Sequence, residues 1–104
     1  MIVEQRDYHV FTGKLVELVR LYDQEGIALQ QEFLGGLIGV FTTDVGALST
    51  YTSLWRYDNY AEREERRAQL QADDRWRDFL PRIQPLIHTQ QNRILVPTSF
   101  SPIR

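Results

Sequence analysis

The chain contains no cysteine, which removes disulfides, thiolate nucleophiles and Cys-based zinc or iron–sulfur centres. Histidine is scarce: His9 and His88 are the only two. Neither stands in a ligand spacing such as HxxxH, so no metal site is expected. Lys14 is the single lysine among 12 basic residues; the preference for arginine fits ion pairing and fits a GC-rich coding sequence better. No apolar run approaches the roughly 18 residues of a membrane-spanning helix. The first residues carry no basic region followed by an apolar core, and a cytoplasmic protein without membrane attachment is expected. A phosphate-binding loop is also absent, because Gly35-Gly36 leads into a strand and not a helix.

What is present suits one domain over residues 1–104. Hydrophobic residues make up 42% of the chain, enough for one core, with a partner chain to cover what a domain this small leaves open. Fourteen acidic against 12 basic residues give a net charge of −2, which offers no attraction to nucleic acid or anionic lipid.

Hydrophobic periodicity supplies the elements. Ile2 to Val10 reads as a strand with Ile2, Glu4, Arg6, Tyr8 and Val10 on one face. Thr12 is a candidate N-cap for a helix whose apolar positions are Leu15, Leu18, Val19 and Tyr22. Gly26 predicts a bend or break, with a second helical piece over Ile27–Leu34. Leu37–Thr43 has the composition of a strand buried on both faces. Asp44-Val45-Gly46 reads as a hairpin connection to a strand over Leu48–Tyr57. There Tyr51, Ser53, Trp55 and Tyr57 share a face. Asn59 and Glu62 form a capping-box pattern, and Glu62–Arg66 and Glu64–Arg67 are expected ion pairs on a solvated helix face. Asp73 or Asp74 caps a further helix with an apolar stripe of Trp76, Phe79, Leu80, Ile83 and Ile87, which Pro81 must kink or restart. Gln91–Val96 is the last strand.

The order β-α-β-β-α-β is the ferredoxin-like α+β plan, a four-stranded antiparallel sheet with both helices on one face. A sheet face left bare and apolar in water is a liability. A homodimer packed face to face is therefore expected.

Four stretches carry a resemblance: EQRDY at Glu4–Tyr8 with Gly13-Lys14, GVFTTDVG at Gly39–Gly46, LWRYDNYAEREERR at Leu54–Arg67, and NRILVPTSFSP at Asn92–Pro102. Together they resemble the NIPSNAP family in a short single-domain form. The resemblance implies a dimeric α/β barrel, in a superfamily that holds small monooxygenases, haem-degrading enzymes, muconolactone-type isomerases and proteins without known activity. It supplies no reaction and no cofactor. Animal members are mitochondrial; this chain starts at its first strand, and mitochondrial roles are not carried over.

Candidate site residues divide between two readings. Arg6 can anchor an anionic ligand and Tyr8 can hydrogen-bond it, or Glu4 and Arg6 can simply neutralise each other. Tyr51, Trp55 and Tyr57 can wall a flat hydrophobic ligand, or fill the core or an interface. His88, placed after the apolar stripe and facing the last strand, is the better candidate of the two histidines for acid–base or ligand work. Ser53 is the one serine in a setting worth inspecting. RNA binding is disfavoured, because LSTYTSLWRY lacks the basic, glycine-containing pattern of an RNA-recognition strand. The sequence reading is thus a dimeric module that binds a small ligand or acts as a scaffold, with Arg6, Tyr8, Trp55 and His88 as the expected pocket residues. The alternative is a small cofactor-independent monooxygenase or isomerase acting on a hydrophobic or aromatic substrate.

Overall fold

Strand β1 (Ile2–Val10) is the centre of the molecule, and its side chains alternate between buried and half-buried along its length. The computed structural model describes all 104 residues. β1 pairs antiparallel with β3 (Thr50–Tyr57) on one side and with β4 (Ile87–Leu95) on the other. β2 (Gly36–Thr42) adds to β3, giving the order β2-β3-β1-β4. This is the expected α+β arrangement of a four-stranded antiparallel sheet.

Register decides which side chains meet. Glu4 lies opposite Trp55, Arg6 opposite Ser53 and Tyr8 opposite Tyr51. On the other side Tyr8 faces Gln90, Arg6 faces Asn92 and Glu4 faces Ile94. Cross-strand partners point to the same side of a sheet, so all of these belong to one face. The helices cover that face. Its core contains Tyr51, Trp55 and Tyr57 from β3, with Leu18, Leu70 and Phe79 from the helices above.

The first helical segment runs without a break from α1 (Leu15–Leu21) through a π-helical turn at Tyr22–Gly26 into α2 (Ile27–Leu34). The second helical piece has the expected bounds, and what marks Gly26 is the end of a π-helical turn, not a break. The glycine is there for space: a Cβ at this position would lie 2.5 Å from Phe79 Cζ and 2.7 Å from Tyr22 Cδ1. Thr12 caps nothing; Lys14 precedes the helix, with no side-chain cap. Gly35, at φ +80°, ends α2, and its N–H donates to Gln31 O. The left-handed conformation there favours glycine.

Asn59 caps α3 (Tyr60–Ala72) as expected, accepting the Glu62 N–H at 2.8 Å. Glu62 does not close the reciprocal half of the box; it accepts the N–H of Asp58 instead, at 2.6 Å. Asp73 caps α4 (Asp74–Ile83) through the Arg75 N–H. The helix continues two residues past Pro81 and tightens into a 3-10 turn at Gln84–Leu86. Ile87 therefore opens β4 rather than closing the helical stripe, and the strand begins well before Gln91.

β2 corrects another expectation. It is an edge strand, half-buried at its start and exposed from Val40 onward. Nor is the open sheet face uniformly apolar. Its middle is polar and internally bonded: Thr52 Oγ1 donates to Asp7 Oδ1 at 2.6 Å, and Gln5 Nε2 donates to Asp7 Oδ2 at 3.1 Å. Apolar surface is concentrated at one end, where Val3, Ile38, Leu54 and Leu95 line a shallow groove with the C-terminal segment. No helix is long and apolar enough to cross a membrane.

Candidate functional site

A chain of buried charge runs across the covered face of β1. Glu4 is fully buried and Arg6 only 6% exposed. Arg6 Nη1 donates to Glu4 Oε2 at 3.1 Å, and Arg6 Nε donates to the Tyr8 hydroxyl at 3.3 Å. With its amide oriented to satisfy both ends, Asn92 accepts from Arg6 Nη1 at 2.8 Å. Arg63, from α3, completes the cluster by donating through Nη2 to the same Glu4 oxygen at 2.8 Å. Burial pushes the Glu4 carboxyl up. The hydrogen bond from Arg63 and the charges of Arg6 and Arg67 outweigh it and hold the group below the usual carboxylate range.

Arg67 follows Arg63 by one turn of α3 and points the same way. It makes no ion pair. Its Nη1 is sealed from solvent and has no hydrogen-bond partner. The expected Glu64–Arg67 pair does not form, because Glu64 binds Arg63 Nη1 instead, at 2.6 Å. Burial and the nearby charge of Arg6 push the Arg67 guanidinium down, against a weaker opposing pull from Glu4. An arginine nevertheless stays protonated.

Beside these groups the sheet and helices form a partly open hollow of about 230 Å³. Arg6, Tyr8, Arg67 and three glutamines, Gln71, Gln84 and Gln90, line its polar side, and Tyr22, Trp76 and Leu80 are among its apolar walls. Tyr8, Tyr22 and Trp76 supply its aromatic lining, with Tyr22 6.2 Å from Tyr8, and the core residue Phe79 meets Tyr22 edge-on at 5.3 Å and stacks on Trp76 at 5.4 Å. The Tyr22 hydroxyl is buried beside that of Tyr8, and burial together with Tyr8 holds this phenol well above its ordinary pKa. No aspartate, glutamate, histidine or serine lines the hollow.

The expected pocket residues separate. Arg6 and Tyr8 line the hollow together. Trp55 shares their sheet face but is fully buried in the core, its indole N–H donating to Ser53 Oγ at 3.0 Å. That bond also accounts for Ser53. Tyr51 and Tyr57 are core residues as well. His88 lies outside the hollow: it is exposed on β4, edge-on to Phe11 at 4.9 Å. The reason is the early start of β4, which makes His88 a strand residue next to the register shift at His9/Val10. His9 contacts Thr50 Oγ1 on the opposite sheet face.

Arg67 is the residue that sequence reasoning missed. Arg63, Arg67 and Leu70 recur at helical spacing, and Leu70 is the one fully buried residue of α3. That spacing places both arginines on the inward side.

The chain belongs to the NIPSNAP family, whose description matches residues 3–102. It is 29% identical to Protein NipSnap homolog 1 of Danio rerio over 103 residues, covering 99% of this chain and 36% of that protein. It thus spans about a third of the length of the curated relatives it matches. A NIPSNAP family protein from Agrobacterium tumefaciens, solved by crystallography, superposes with a TM-score of 0.97 at 48% identity, covering 99% of this chain and 98% of that one. The fold extends further, to a putative antibiotic biosynthesis monooxygenase from Nitrosomonas europaea, with a TM-score of 0.68 at 9% identity over 93% of this chain and 98% of that one. At such identity only the fold is shared. The family has no established reaction.

Proposed function

We propose that this chain is a small-ligand-binding module that takes a hydrophobic or aromatic molecule into the hollow between sheet and helices. The observation that carries this reading is the hollow itself. It combines an aromatic and aliphatic wall with a few converging polar groups, the composition typical of small-molecule sites. Its volume of about 230 Å³ suits a single-ring compound; a cavity of about 150 Å³ holds benzene. The lining offers no carboxylate, imidazole or serine and its phenol Tyr22 is raised, which favours binding over proton transfer by these side chains. The alternative, a monooxygenase or isomerase of the same fold, is supported by the shared architecture alone.

A homodimer belongs to the same proposal. The apolar groove of about 290 Å³ around Val3, Ile38, Leu54 and Leu95 and the exposed Phe41 on the edge strand are surfaces that a second copy would cover.

Titration with benzyl alcohol, followed by amide and indole NMR, tests the binding reading. The expected result is saturable shifts at the Trp76 indole and the Gln90 side-chain amide. Shifts confined to the open sheet face, or none at millimolar probe, contradict it.

A further inference from the structure

We infer that the ligand is an organic anion, a compact aromatic or alicyclic carboxylate, held by Arg67 and Arg6 with its ring against Trp76 and Leu80. This rests on the reading of the hollow as a ligand site and adds the chemistry of the ligand.

Charge balance is the first argument. Three guanidinium groups, on Arg6, Arg63 and Arg67, converge on one buried carboxylate, Glu4. Glu4 is engaged through Oε2 by both Arg6 and Arg63 and does not line the hollow. Arg63 has a second counter-ion in Glu64. Arg67 has none. The lining therefore presents Arg6, already paired with Glu4, and Arg67, whose charge no acid in the lining balances. A cation or a neutral guest leaves that excess uncompensated in a site of low dielectric.

An unpartnered donor is the second argument. Arg67, which lines the hollow, has a donor, Nη1, buried with no acceptor, and buried polar groups of folded proteins are almost always bonded. Tyr8 uses its oxygen as acceptor for Arg6 Nε, which leaves its own O–H to donate to the neighbouring Tyr22 oxygen or to a guest. The arginines only donate, whereas Gln71, Gln84 and Gln90 in the same lining both donate and accept. A guest that satisfies the arginines supplies acceptors, and a carboxylate supplies two oxygens in the plane that a guanidinium fork matches. Phosphate shares the charge and the acceptors but has no body to fill the walls of Trp76, Leu80 and Ile83.

Paired calorimetric titrations with benzoate, benzamide and inorganic phosphate test the inference on wild type and on Arg67→Met. Benzoate and benzamide have nearly the same shape and differ in charge. Wild type is expected to bind benzoate at least about tenfold more tightly than benzamide, as charge-assisted bonds require. Phosphate is expected to bind more weakly than benzoate. Arg67→Met should remove the preference for benzoate while leaving the melting temperature unchanged or higher, because it deletes a buried donor that has no partner. Arg67→Lys, which keeps the charge, should restore part of the preference and serves as the second variant if the Met form folds poorly. Equal binding of benzoate and benzamide overturns the anion inference and leaves the ligand site standing. A benzoate preference that survives Arg67→Met overturns the role of Arg67. Failure of benzoate, benzamide and phosphate alike overturns the inference together with the ligand-site reading beneath it.

Discussion

Glu4 on the first strand and Arg63 on the third helix are joined by a hydrogen-bonded ion pair of 2.8 Å between Arg63 Nη2 and Glu4 Oε2. The carboxylate is completely buried, whereas the Arg63 side chain is 19% exposed. Removing one partner of a buried pair leaves the remaining charge without compensation, at a cost of roughly 3–5 kcal/mol. Here three guanidinium groups would lose their shared anion. Glu4→Gln should destabilise by about 3 kcal/mol, the lower end because Arg63 can turn to solvent and Glu64. Urea unfolding measures it; a change below about 1 kcal/mol, the scale of an exposed pair, would show that the cluster is not structural.

The same residue makes stability depend on pH. The carboxyl of Glu4 is held below its ordinary value in the folded protein, so folding favours the charged form. Its contribution is complete above the unfolded value of about 4.3 and is lost as pH falls through the lower folded value. Stability should therefore decline in acid below about pH 4.3, and Glu4→Gln should decline less steeply over that range. Parallel slopes in the two proteins would assign the acid sensitivity to other groups.

Gly26→Ala is expected to destabilise although alanine is the better helix former by about 1 kcal/mol. The added Cβ would press on the rings of Phe79 and Tyr22, and overpacking costs about 1–3 kcal/mol. A lower melting temperature is the expected outcome. A higher one would mean that α4 can shift away from the π-helical turn.

Trp76→Ala removes a side chain that is buried, stacked on Phe79 and part of the lining of the hollow. It should cost roughly 3–5 kcal/mol, as large core truncations do. Glu64→Ala, at a side chain 73% exposed, should stay within about 0.5 kcal/mol. Similar losses in urea unfolding would contradict the assignment of inner and outer helix faces.

Leu54→Glu places a charge at the apolar end of the open sheet face, in the groove with Val3 and Leu95. Light scattering should give twice the chain mass for wild type at micromolar concentration and a monomer for the variant. A wild-type monomer would rule out the pairing proposed for this face.

Strand alternation made part of the site legible from sequence. The period of two fixes Glu4, Arg6 and Tyr8 to one face of β1 whatever surrounds it, and the register then brings Trp55 and Tyr51 to the same side. Capping was legible at Asn59 and Asp73, where a side chain acts on its own turn. Position within the sheet was not. Composition shows that Leu37–Thr43 prefers a strand, but only the hydrogen-bonding order makes it an edge. His88 was misplaced because Pro81 and Pro85 hide where the helix ends and β4 begins. Arg67 was read as part of a solvated ion-paired face, since Glu64 stands three residues before it. The spacing to Leu70 marks its inward side, but its buried neighbour Glu4 is 63 positions away in the chain and only the tertiary fold brings the two together.

A crystal structure of the protein soaked in benzoate tests the central claim most directly. The account predicts density for the acid in the hollow, its carboxylate within about 2.7–2.9 Å of the Arg67 guanidinium and its ring against Trp76. An empty hollow at saturating benzoate, or a bound acid with its carboxylate turned away from Arg67 and Arg6, would contradict it.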